Sequence, residues 1–321
     1  MALSRFTRVG FIGLGAMGKH MAEQLAKKLP ENARVSVFDV AKSPIEELVG
    51  KYPGKIVGCT SPRNVAERSE FILSMVPEGA HVKSVYLDEK IGVTSIDLQD
   101  RVLIDCSTID IATSLLVKQH IAEHHPSASF YDAPVSGGTL GAEKGTIAFF
   151  LGCSEDDPQI PVLKELLGLM GKQIIPCGKP SLGLAAKLCN NYLSGLIAIA
   201  SAEALNIGIK ADLDPRVLSS VFAAGTAQNA ICDRFNPCPG VVPDAPSSNG
   251  YEGGFKVQLM KKDFSLAMKM AEGVGATLAL GQQGLQTYEA ASNDPECHDR
   301  DSRVVFRYIG GDENWAQKFQ N

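Results

Sequence analysis

The chain has 321 residues, enough for about two domains and a substantial buried core. Hydrophobic residues make up 45% and charged residues 21%, a profile that excludes wholesale disorder. The formal charge is −5 and no Lys/Arg run occurs, so electrostatics give no reason to expect nucleic acid or an anionic membrane as a partner.

The first eight residues are basic and lack acids. They resemble the remnant of a mitochondrial presequence, but the first strand starts at about Arg8, so the readings are a mature form, a cytosolic form or an unusually short leader, which leaves the mitochondrial matrix and the cytoplasm both open. From residue 8 onward, short β-branched runs alternate with helical patterns. Strands are predicted over 9–12, 35–38, 71–75, 102–105 and 129–131, with helical spacing over 16–28 and 112–124. Such alternation implies a parallel sheet covered on both faces. Ser61-Pro62 is a helix start, a hydroxyl cap followed by proline at the first helical position. Apolar segments at 147–151 and 173–175 are expected to extend the same sheet.

After about residue 180 the β-branched runs stop. A long helical pattern runs over 181–209, Asp214-Pro215 starts another helix, and 263–272 belongs to a third. A loop rich in Pro, Gly, Ser and Asn fills 236–254, long enough to suggest a functional role. No apolar run reaches the ~18 residues of a membrane span; the segment 193–200 suits a buried helix instead. The expected architecture is an α/β Rossmann-like N-terminal domain (1–180) and an all-α C-terminal domain (181–321), joined by a long helix. The eight cysteines contain no C-x-x-C pair and no His/Asp/Glu/Cys cluster has ligand spacing, so no metal is implied.

Gly13-x-Gly15-x-x-Gly18 ends the first strand and opens the first helix. The first glycine permits a tight turn, the second lets a pyrophosphate approach the backbone, and the third lets helix pack on strand. The helix N-terminus presents N–H groups to the phosphates. Asp39 closes the second strand 21 residues after Gly18 (39 − 18), near the expected spacing of about 20. A carboxylate there accepts hydrogen bonds from ribose hydroxyls and repels a 2′-phosphate, favouring NAD over NADP, although Lys42 nearby could soften the preference.

Asp132-Ala-Pro-Val-Ser136-Gly137-Gly138 follows a strand end, where open α/β sheets bind ligands. Its hydroxyl and unobstructed N–H groups suit a carboxylate; an ordinary turn is the other reading. Gly183, Lys187, Asn191 and Gly195 recur every four residues and form one stripe on the long helix. Glycine inside a helix costs about 0.8–1 kcal/mol, so close approach of a backbone or ligand is its expected reason. The pattern leaves Lys187 as either a snorkelling surface lysine or a buried functional amine. His124, His125 and His298 fall on surface-like segments.

Together these residues resemble the β-hydroxyacid dehydrogenases, most closely the 3-hydroxyisobutyrate dehydrogenases, over nearly the whole chain to about residue 310. Four signatures match in order: Gly10-Phe-Ile-Gly-Leu-Gly-Ala-Met-Gly18, Asp132-Ala-Pro-Val-Ser-Gly-Gly138, Gly183-Leu-Ala-Ala-Lys187-Leu-Cys-Asn-Asn191, and Gly253-Gly-Phe255 leading to Leu259-Met-Lys-Lys262-Asp263. Asp105-Cys-Ser-Thr108 resembles the family's loop after the fifth strand. The resemblance implies NAD-dependent oxidation of 3-hydroxyisobutyrate to methylmalonate semialdehyde, a step of valine degradation. It makes Lys187 the catalytic acid/base. Ser136, Gly137 and Gly138 would hold the substrate carboxylate, and Asn191 would position the substrate. Gly13, Leu14, Gly15, Ala16, Met17, Gly18, Asp39, Val76, Pro77, His81, Thr108 and Lys262 would contact the cofactor. Pro77-Glu-Gly-Ala-His81 departs from the commoner pattern, Phe264 replaces a leucine, and the tail after Asn293 matches poorly, with only 304–309 reading like the family's last helix. The resemblance further implies a small 3-hydroxy acid as substrate and a homodimer or homotetramer. Competing readings are tartronate semialdehyde reduction, another short-chain β-hydroxyacid dehydrogenase, and a non-catalytic binding module on the same fold. Retention of Lys187 speaks against the last and against an imine-reducing relative.

Overall fold

The computed structural model describes residues 2–319. Met1, where the basic N-terminal stretch begins, and Gln320 and Asn321, at the end of the expected C-terminal domain, lie outside the described residues. The chain divides into two compact units, one ending at Lys187 and the other beginning at Leu188.

In the first unit, β1 (Arg8–Ile12), α1 (Gly18–Lys28), β2 (Arg34–Phe38), α2 (Lys42–Lys51), β3 (Ile56–Gly58) and α3 (Pro62–Arg68) form the first half of a doubly wound sheet. The second half comprises β4 (Phe71–Ser74), α4 (Gly79–Leu87), β5 (Val102–Asp105), α5 (Ile111–His124) and β6 (Ser129–Asp132). All pairings are parallel, in the order β3-β2-β1-β4-β5-β6. Side chains alternate along each strand between two apolar layers: Leu73, Ile104 and Tyr131 enter one, Ile72, Leu103 and Phe130 the other. Near-continuous apolar strands are thus what a sheet covered on both faces requires. Ser61 caps α3 as expected, its hydroxyl accepting from Asn64 N at 3.1 Å. β3 has no counterpart among the predicted strands, because three residues ending in glycine carry no readable alternation.

The segments 147–151 and 173–175 do not extend this sheet. β7 (Val135–Ser136), α6 (Gly138–Lys144), β8 (Ile147–Leu151), α7 (Ile160–Leu167) and β9 (Gly171–Pro176) build a separate three-stranded sheet, with β7 antiparallel and β9 parallel to β8. The chain turns at Ala133-Pro134, and β8 takes up the backbone beyond: Gly152 N donates to Asp132 O and Phe150 N to Pro134 O.

The apolar run at 193–200 belongs to α8 (Leu182–Lys210), a 29-residue helix. By length and composition alone it is long and apolar enough to cross a membrane, with a mean hydropathy of 1.4 over an 18-residue stretch of which 44% is buried within the protein. The second unit continues with α9 (Pro215–Ala224), α10 (Ala230–Arg234), α11 (Val257–Gly273), α12 (Gly281–Asn293) and α13 (Val305–Tyr308). Asp214 caps α9 through Arg216 N. Phe264 is fully buried between Tyr192 and Tyr288, and Gly195 and Gly284 leave the space its ring occupies. The loop 236–254 is anchored rather than loose: Tyr251 OH donates to Pro237 O at 2.9 Å and Trp315 Nε1 to Pro239 O at 2.8 Å.

Both glycines of the α8 stripe serve close packing. A Cβ on Gly183 would lie 2.2 Å from Phe150 O and 2.8 Å from Asp132 Oδ2, and one on Gly195 would touch Met260, Phe264 and Tyr288 at 3.2 Å. Gly183→Ala is therefore expected to lower stability by about 1–3 kcal/mol. In an unobstructed helix the same change would gain about 1 kcal/mol. Urea denaturation distinguishes the two signs.

Candidate active site

The strand order reverses between β1 and β4, and the loops after these two strands flank the resulting crevice. Gly13 has φ +93°, and a Cβ there would lie 2.2 Å from Met75 O in the loop after β4. A Cβ on Gly18 would lie 1.9 Å from Gly13 O, so the first and third glycines are demanded by the fold of the turn itself. Gly15 is different: nothing lies within 4 Å of its Cβ position, and it is exposed together with Ala16. That is a cradle left open to an outside group. α1 begins without a side-chain cap, so its first turn offers N–H groups and positive dipole to a phosphate. Asp39 fastens this turn, its Oδ2 accepting from Leu14 N at 2.6 Å while Oδ1 accepts from Ala41 N at 2.8 Å. These residues fit a dinucleotide.

Val76 is half-buried and Pro77 exposed at the end of β4. Val76 N donates to Ser107 Oγ at 2.9 Å, which joins the loop after β4 to the loop carrying Thr108. His81 is exposed on the first turn of α4.

Ser136 ends β7, and Gly137 (φ +134°) and Gly138 (φ +65°) turn the chain into α6. Both glycines occupy conformations that side chains rarely adopt, and both are exposed, which leaves their backbone open to a ligand. The same signature holds the helix that carries Lys187. Asp132 is buried, and its Oδ1 accepts from Ser181 N at 2.7 Å while its Oδ2 accepts from Leu184 N at 3.0 Å. Burial raises the Asp132 pKa above the ordinary carboxylate value, against the lowering by these N–H donors. Ser181 itself has φ +65°, a strained entry into α8 that this bond secures. Lys187 lies in α8 and is 8% exposed, so of its two readings the buried amine is the one realised.

One turn along α8, Asn191 is 6% exposed. Its Nδ2 donates to Asp263 Oδ2 at 2.6 Å, and the Lys262 ammonium lies 3.1 Å from Asp263 Oδ1. The carboxylate of Asp263 thus holds the Asn191 amide by a hydrogen bond and forms an ion pair with Lys262. Asp263 stood in the fourth signature without a role, because its partner is 72 residues away. The poorly matching tail also has work in this unit. Asp301 Oδ2 accepts from Phe255 N at 2.7 Å, and a Cβ on Gly254 would collide with that oxygen. The tail therefore shapes the glycine turn that precedes Lys262.

A family model described as the NAD binding domain of 6-phosphogluconate dehydrogenase matches residues 8–178. One described as NAD-binding of NADP-dependent 3-hydroxyisobutyrate dehydrogenase matches residues 182–309. The chain is 41% identical to a probable mitochondrial 3-hydroxyisobutyrate dehydrogenase of Dictyostelium discoideum, over 96% of this chain and 92% of that one. It is 40% identical to a 3-hydroxyisobutyrate dehydrogenase of Pseudomonas aeruginosa, over 86% and 89% respectively. A solved structure of Mycobacterium tuberculosis 3-hydroxyisobutyrate dehydrogenase with L-serine superimposes with a TM-score of 0.83 at 31% identity, covering 95% of this chain and 99% of that one. The chain belongs to the 3-hydroxyisobutyrate dehydrogenase family.

Proposed function

We propose that this chain oxidises 3-hydroxyisobutyrate to methylmalonate semialdehyde with NAD, using Lys187 as general base. The observation that carries the reading is a buried lysine on a helix whose first turn is fixed by the carboxylate of Asp132, the residue that opens the Ser136-Gly137-Gly138 signature. The substrate carboxylate binds Ser136 Oγ and the N–H groups of Gly137 and Gly138. Its hydroxyl is then directed at Lys187 Nζ, with Asn191, oriented by Asp263, as a further polar contact. Bound at the glycine turn and Asp39, with Val76, Pro77, Thr108 and Lys262 at its nicotinamide end, NAD supplies the two-electron acceptor for the hydrogen on the carbinol carbon. Neutral Lys187 removes the hydroxyl proton; in the reverse direction its ammonium returns a proton to the forming alkoxide.

L-Serine is the second reading, because the Mycobacterium tuberculosis relative is described with it. Serine and 3-hydroxyisobutyrate share a carboxylate and a β-hydroxyl and differ at the α-carbon, which carries an ammonium in serine and a methyl in 3-hydroxyisobutyrate, so the polarity of the pocket there decides between them.

Lys187→Ala is expected to lower kcat by about 10²- to 10⁴-fold, and the wild-type oxidation rate to rise toward alkaline pH as the amine loses its proton. Near-normal turnover of the variant contradicts the assignment. Asp39→Ser is expected to shift the NAD/NADP ratio of kcat/KM toward NADP, since it removes the charge that repels a 2′-phosphate. An unmoved ratio overturns the reading of Asp39 as the cofactor discriminator.

A further inference from the structure

Asp105 ends β5 with its carboxylate buried at 1% exposure. Its Oδ1 accepts three hydrogen bonds: from Ser74 Oγ at 2.7 Å, Ser107 Oγ at 2.6 Å and Ser107 N at 3.2 Å. Each hydroxyl spends its only hydrogen on this oxygen and is left as an acceptor. Ser74 Oγ therefore receives the hydrogen of Tyr86 OH at 2.9 Å, and Ser107 Oγ receives the N–H of Val76 at 2.9 Å. An ionised carboxylate only accepts, so Asp105 sets the direction of both chains of hydrogen bonds.

The branch through Ser107 ends on a particular peptide. The N–H of the Met75–Val76 peptide points to Ser107, and its carbonyl oxygen is the atom that excludes a Cβ from Gly13. One peptide plane is thus clamped between the glycine turn and the Asp105 network. Cys106 N donating to Ser74 O at 2.8 Å ties the same two loops together.

The carboxylate is held in an unfavourable environment for a charge. Burial, with Asp132 across the neighbouring strand, pushes the Asp105 pKa up to about 6, and Oδ2 has no hydrogen-bond partner among the described residues. A folded-state pKa above the unfolded one means that stability falls as pH rises through this range. The ionised group is kept at a cost to the fold, a pattern found at functional sites.

We propose that Asp105 is a positioning residue for the nicotinamide end of the cofactor, acting through Ser107 to fix the Val76 backbone and with it the Val76–Pro77 wall. This rests on the proposed placement of the nicotinamide against Val76, Pro77 and Thr108. The test compares NADH with ADP-ribose, which shares the pyrophosphate and adenosine but lacks the nicotinamide. Calorimetric titrations are run on the wild type, Asp105→Asn and Ser107→Ala.

The expected result is NADH affinity about tenfold or more weaker in both variants, equivalent to about 1.4 kcal/mol, with ADP-ribose affinity within about twofold of wild type. Equal weakening of both ligands, or of neither, overturns the proposal. Should Asp105→Asn fail to fold, Ser107→Ala, which keeps the carboxylate, decides alone. Wild-type protein that binds ADP-ribose but gains nothing from the nicotinamide of NADH refutes the underlying placement instead, an outcome separate from unchanged variants.

Discussion

A single carboxylate organises the end of the first unit that carries the proposed catalytic lysine. Asp132 is the last residue of β6 and receives the N–H groups of Ser181 and Leu184 as α8 begins. Those donors have no intrahelical partner, and the carboxylate satisfies them while opposing the positive end of the helix. Space is arranged for it: a Cβ on Gly183 or on Gly152 would collide with its oxygens. The lysine five residues into the helix and the Ser-Gly-Gly turn four residues beyond Asp132 are therefore anchored to one rigid point. The proposed general-base role of Lys187 requires this, because a proton acceptor must sit within hydrogen-bond reach of the hydroxyl it serves.

The charged groups behind the proposed contacts act mainly by fixing backbone and amide orientation. Asp39 grips Leu14 N in the phosphate turn, Asp263 holds the Asn191 amide, and Asp301 holds Phe255 N before α11. Asp105 does the same for Val76 through Ser107. Buried carboxylates such as Asp105, Asp263 and Asp301 are costly to desolvate, and these accept bonds from groups that would otherwise be unsatisfied. Asp39, Asp105 and Asp301 sit at or beside a strand or helix end, where backbone N–H groups lack regular partners, whereas Asp263 lies within α11 and meets side chains.

Local pattern made the scaffold legible. Buried parallel strands required short, near-continuous apolar runs, Ser61-Pro62 and Asp214-Pro215 marked helix starts by cap chemistry, and the three glycines with Asp39 at 21 residues gave the dinucleotide turn (39 − 18 = 21). Legibility stopped where function depends on long-range partners. Asp263 meets Asn191 and Asp301 meets Phe255 only in the folded chain, and neither pairing has a spacing that periodicity could expose. The separate three-stranded sheet was hidden for a similar reason: β7 is two residues long, and its antiparallel pairing with β8 follows from a turn at proline, not from strand composition. Lys187 was ambiguous in sequence because a four-residue stripe does not say what covers it; its 8% exposure is a tertiary property.

The candidate substrates share a carboxylate and a β-hydroxyl and differ in the α-substituent: methyl, ammonium, hydroxyl or hydrogen. The most direct test is initial-rate NADH formation with NAD and 3-hydroxyisobutyrate, L-serine, D-glycerate and 3-hydroxypropionate. The account predicts the highest kcat/KM for 3-hydroxyisobutyrate. A higher value for L-serine or D-glycerate contradicts it.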